Sequence, residues 1–107
     1  MDVKPVKIRG RLKGSEATVK CLMPHPMETG VRKDIDGNPI PAHYIETVTC
    51  THNGEVFMSA EWGASVSGDP YFGFRVKEAS AGDLIAVSWR DNLGNSSSGE
   101  LKLKAKK

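Results

Sequence analysis

The 107-residue sequence contains no apolar run that approaches membrane-spanning length, and no stretch carries a sustained helical stripe. The first absence excludes insertion through a transmembrane helix; the second points away from helical folds. Cysteine is scarce as well. Cys21 and Cys50 allow one disulfide at most, and a chain of this length can bury a core without such staples. Both cysteines stand beside β-branched residues in strand-like segments, so two buried free thiols are expected, with an intersheet bridge as the alternative. No glycine-rich phosphate loop occurs, and no array of aromatic and basic residues suited to nucleic acid. The net charge of +2 does not revive that possibility, because Lys102, Lys104, Lys106 and Lys107 crowd the last six residues and removing those four turns +2 into −2. The opening MDVKPVKIRG has no apolar stretch after its first lysine, so no secretory signal is read there. What remains is an ordinary globular composition, 38% hydrophobic with a mean hydropathy of −0.39.

The positive signal is a period of two. VKIRGRL alternates Val6, Ile8 and Leu12 with Lys7, Arg9 and Arg11, and ATVKCLM sets Ala17, Val19, Cys21 and Met23 against Thr18 and Lys20. IETVTCT and EVFMSAEW flank HNG, where Asn53-Gly54 supplies the backbone angles of a tight hairpin. YFGFRV, LIAVSWR and SGELKLKA complete the set, with Phe72, Phe74 and Val76, then Ile85, Val87 and Trp89, then Leu101 and Leu103 sharing faces. In EVFMSAEW, Val56, Met58, Ala60 and Trp62 fall opposite Phe57, so both sides are apolar. Turn chemistry at IDGNPIP, SGDP, ASAGD and DNLGN separates the runs. About seven short strands at this spacing predict an all-β fold, an immunoglobulin-like antiparallel β-sandwich, as a single domain over residues 1–107.

CLMPHPMETG, residues 21–30, concentrates a thiol, an imidazole and two thioethers. Cys21, His25 and Met27 have the donor types of a copper loop, and a small metal-binding redox sandwich of cupredoxin or superoxide-reductase type is the rival reading. Against it, no histidine precedes His25, the loop follows the second strand, and Pro24 and Pro26 hold the backbone extended. His43 and His52 are the other histidines, the latter at a hairpin turn. DIDG at 34–37 lacks the glycine position and closing glutamate of a calcium loop. Nucleophilic catalysis finds no support: the serines at 96–98 have no neighbouring histidine, Asp83 and Asp91 read as turn residues, and nothing beside Cys50 would lower its pKa. The expectation is therefore a protein with no catalytic residue, no cofactor and no metal. Recognition fits better. MPHPMETGVRKDIDGNPIPAHY is too long for an idle connection on a small sandwich, and its prolines reduce the ordering cost of binding. Met23, Met27, Val31 and Ile35 would supply apolar contact, with Glu28, Arg32 and Lys33 orienting a partner by charge.

The run HPMETGVRKDIDGNPIP resembles the signature of the SoxZ family, and the likeness continues through VTCTHNGEVF, SGDPYFGFRV and GDLIAVSWRDNLG. The resemblance implies a subunit that pairs with SoxY, whose C-terminal arm carries a glycine-flanked cysteine bearing the sulfur intermediate of thiosulfate oxidation. Other Sox enzymes would meet this chain transiently through that complex. It also implies a periplasmic location reached by co-export with a signal-bearing SoxY. KLKAKK at the end of this sequence has neither cysteine nor glycine, so the chain is expected to be the companion of the carrier arm and not the arm itself. The residues expected to line the partner surface are His25, Pro26, Met27, Glu28, Thr29, Gly30, Arg32, Lys33 and Asp34.

Overall fold

The structure is a computed structural model and describes residues 3–63 and 66–104. Seven strands form in the order β1 (Lys7–Lys13), β2 (Glu16–Leu22), β3 (Ile45–His52), β4 (Glu55–Glu61), β5 (Tyr71–Val76), β6 (Leu84–Asp91) and β7 (Ser96–Lys102). They divide into an antiparallel sheet ordered β1-β2-β5 and a second ordered β4-β3-β6-β7. This is the sandwich that the alternation predicts. Each inner face contributes every second residue: Ala17, Val19 and Cys21 from β2 meet Val48 and Cys50 from β3 and Ile85, Val87 and Trp89 from β6, all buried. Cys21 and Cys50 are free thiols within this core.

The β7 strand begins at Ser96, two residues before the SGELKLKA run, because Ser96 and Ser97 pair by backbone with Arg90 and Trp89. One further difference concerns β4. Cys50 pairs with Met58 but Thr51 pairs with Val56, so Phe57 is an extra residue, a β-bulge. The bulge breaks the period of two. Val56 therefore follows the outward Thr51 and is 61% exposed, instead of sharing the inner face with Met58. Phe57 turns towards the neighbouring sheet, its ring 5.6 Å from Phe74. With Phe72 and Trp62 it fills the open side between edge strands β4 and β5.

The opposite side is closed by the chain's own start. Val6 N–H donates to Ser98 O at 3.2 Å and Ser97 Oγ donates to Lys4 O at 2.7 Å, tying the entry of β1 to β7. Gly99 makes this approach possible: a Cβ there would stand 2.3 Å from Val6 O, inside any real contact. The radius of gyration, 15.9 Å, exceeds the roughly 13 Å of a compact chain this long. One long extent, 55 Å against 24 and 21 Å, shows that the excess lies along a single direction.

Candidate functional site

Between β2 and β3, residues 23–44 leave the sandwich as a two-legged arm. The legs are paired by irregular bridges. Glu28 N–H donates to His43 O at 2.6 Å and His43 N–H returns to Glu28 O at 3.0 Å; further out, Ile40 N–H donates to Arg32 O. Asp34 builds the tip, its Oδ1 accepting from the N–H groups of Asp36 and Asn38. Gly30 lies where the arm leaves the body, with φ near 90° and the side of Ala42 only 3.1 Å from where a Cβ would stand. Every residue from 31 to 39 is exposed, including two large apolar side chains, Val31 at 84% and Ile35 at 100%.

The root is the reverse. Asp91, the last residue of β6, continues the inward alternation of Ile85, Val87 and Trp89 and so places a carboxylate in the interior. A buried carboxylate needs donors. It has five. Oδ1 accepts from the backbone N–H of Leu93 (3.0 Å) and Asn95 (2.8 Å), and Oδ2 from Asn95 Nδ2 (3.1 Å), His25 Nε2 (3.0 Å) and His43 Nε2 (2.6 Å). The two histidines come from opposite legs, so one carboxylate ties both to the β6–β7 turn. Asn92 repeats the device one residue later: its side chain accepts from Tyr44 N–H and donates to Ala42 O. The second contact of this root is with the 67–70 turn, where His25 N–H donates to Asp69 Oδ1 and Asp69 N–H donates to His25 O.

Electrostatics follow from this geometry. Burial would raise the Asp91 carboxyl, yet the hydrogen bonds from His25, His43 and Asn95 outweigh it and hold the group well below the usual carboxylate range. Burial pushes His25 down, against the pull of its bond to Asp91, so the imidazole is neutral. Its tautomer is also fixed. Met27 N–H donates to His25 Nδ1 at 3.1 Å, which leaves the ring proton on Nε2, facing Asp91. Met27 itself takes a left-handed backbone (φ 51°), a conformation costing about 1–3 kcal/mol for a side chain of this kind. That cost is offset locally: its N–H is satisfied by His25, its side chain is buried, and its Sδ accepts from Ile45 N–H at 3.4 Å.

These facts place the nine residues expected at a partner surface. Arg32, Lys33 and Asp34 are exposed on the arm, as are Pro26 and Thr29. Glu28 and Gly30 are half-buried; Glu28 holds Arg32 in a bidentate pair that lowers the Glu28 carboxyl through its hydrogen bond with the guanidinium. His25 and Met27, at 2% and 5% exposure, are buried within the chain's own core, as is Met23 at 0%. The physical reason is the turn at Met27, which brings the His25 ring under the sandwich to Asp91. Their contribution to the arm is to fix its direction. Sequence reasoning passed over Asp91, Asn92 and Asn95, although the inward parity of position 91 was a readable sign of a carboxylate requiring partners.

The same geometry bears on metal binding. The ligating atoms of His25, His43 and Asp91 lie within 4.8 Å of one another. A histidine that ligates through Nε2 keeps its proton on Nδ1 and donates it to an acceptor. Here Nδ1 of His25 faces an N–H donor, so His25 turns an Nε2–H and not a lone pair towards Asp91, which disfavours its ligating through that atom. Cys21, His25 and Met27 are likewise engaged separately, with the Cys21 thiol in the core near Cys50. Burial pushes Cys21 up to about 12 and Cys50 up to about 11, which leaves neither as a thiolate nucleophile.

A protein-family model described as sulphur oxidation protein SoxZ matches residues 6–102, from the segment that enters β1 to the end of β7. The match takes in the arm and the β6–β7 turn that roots it. No curated protein matches the chain.

Proposed function

This chain belongs to the SoxZ family of sulphur oxidation proteins, and from that premise we propose that it is the non-catalytic subunit of a sulfur carrier. In this reading the arm grips SoxY, and the resulting heterodimer offers the SoxY C-terminal cysteine to other Sox enzymes during thiosulfate oxidation. The assembly works in the periplasm, which this chain reaches by co-export with SoxY.

The observation that carries the proposal is the contrast along the arm: a tip bearing Val31 and Ile35 exposed to water, on a root braced by the bonds of His25 and His43 to Asp91 and of Tyr44 to Asn92. Exposed apolar side chains on a braced support favour association, because the ordering cost has been met in folding. The chemistry at the root supports a structural role. Asp91 is saturated with donors, His25 is held neutral, and both thiols are buried and far from ionisation, so none of these four groups is poised to take up sulfur or move a proton.

Co-expression with a SoxY chain, followed by purification and mass determination in solution, tests this. A one-to-one complex is expected, together with thiosulfate-dependent turnover that needs both chains when Sox enzymes are added. Separate migration of the two chains, or turnover of a sulfur compound by this chain alone, would overturn it.

A further inference from the structure

The outer face of the β1-β2-β5 sheet has a composition that solvation alone does not require. Alternation places Lys7, Arg9, Arg11 and Lys13 of β1 on this face, with Lys20 of β2 and Arg75 of β5, and all six are exposed. The register sets Arg9 directly opposite Lys20, and carries Arg11 across Thr18 to Arg75. Neighbouring strands are only about 4.8 Å apart, and like charges directly opposite one another destabilise a sheet. The acid on this face is Glu16, 3.9 Å from Arg75. Of fifteen basic and thirteen acidic residues in the chain, the face takes six and one, leaving nine against twelve elsewhere. A sheet surface that only had to be wet would intersperse the two signs.

We propose that this face is a docking surface for an acidic protein surface, carried by the enzymes that visit the carrier complex. The inference rests on the proposed carrier role for the identity of the visitor, and on the charge pattern for the rest. A predominantly basic face accelerates encounter and orients it without adding a large desolvated interface, which suits a partner that must leave again. Its chemistry favours protein over polynucleotide. Tyr71 is the exposed aromatic on the face, so there is no row of rings on which bases could stack. The face is also separate from the apolar tip of the arm, so a visiting enzyme and a permanent partner can be held together.

The test uses the full chain with Arg9→Glu and Lys20→Glu, and a milder Arg9→Gln with Lys20→Gln pair in case charge reversal impairs folding. In a reconstituted thiosulfate-oxidising system, kcat/KM for the carrier complex should fall about tenfold with reversal and less with neutralisation, while kcat holds. The wild-type value should fall as salt rises from about 50 to about 300 mM, and the variants should lose that dependence. The mass of the carrier complex should be unchanged. An unaltered kcat/KM and salt profile would overturn the inference, and so would loss of the carrier complex, which would make the face a permanent interface. A titration with poly-L-glutamate against a random DNA duplex separates failure of this inference from failure of the carrier reading. Salt-sensitive binding of the polypeptide, weakened about tenfold by charge reversal, upholds the acidic-protein site even where no carrier complex forms. Tighter binding of the duplex, or equal binding by the variant, refutes it.

Discussion

The root and the tip of the arm are separated by a few residues in sequence and by almost every physical measure. At the root, one carboxylate accepts five hydrogen bonds and both legs converge on it from 48 and 66 residues away. At the tip, nine consecutive residues face water and the bonds that shape the turn come from Asp34 itself. The difference teaches how one loop divides its labour. Stability resides where the polar groups are buried and paired; the proposed recognition is assigned to the tip, where apolar groups are exposed, and the prolines and the Met27 turn keep the two apart.

Substitutions should therefore sort by position along the arm, and the largest effect belongs to the root. Asp91→Ala leaves two imidazoles and three N–H donors without their acceptor and is expected to cost about 3–5 kcal/mol, read as a lower urea midpoint at unchanged slope. A loss below about 1 kcal/mol would break the contrast. Acid should act on the same place. His25 has a folded pKa below its ordinary 6.5, so its contribution is fully present above that value and is lost as pH falls beneath it, when the unfolded chain takes up a proton that the folded chain refuses. Asp91 adds a further loss below 3.8, its ordinary value. Urea midpoints should consequently fall from about pH 7 to about pH 5, and a flat profile would show that His25 does not resist protonation.

At the boundary between the regions, Gly30→Ala combines an unfavourable φ with the nearby Ala42 and should cost about 1 kcal/mol, visible in thermal unfolding. The smallest effect sharpens the comparison most. Val31→Ser with Ile35→Ser removes exposed side chains only, so the melting temperature should hold to within about 0.5 kcal/mol of equivalent stability.

The strands were legible because burial on one face writes a period of two into side-chain chemistry, and Asn53-Gly54 marks its hairpin with positive φ at both positions. Val56 was misplaced because a bulge is a backbone event and changes parity without changing composition. The start of β7 was hidden for a similar reason: Ser96 and Ser97 belong to the ladder through their amides. Within the arm, Arg32, Lys33 and Asp34 could be placed outside because charge and turn residues prefer water. The inward course of His25 and Met27 could not be read from neighbours, since it depends on Asp91 across the fold. Prolines beside His25 announced a stiff corner but not which way its side chains would point.

The claim at the centre is that the exposed tip, and not the buried root, makes the contact with a second polypeptide. Titration calorimetry of SoxY against the Val31→Ser and Ile35→Ser double variant tests it most directly. The account predicts a Kd about a hundredfold weaker, roughly 2.7 kcal/mol, in a variant that melts like the wild type. A Kd equal to that of the wild type would contradict it.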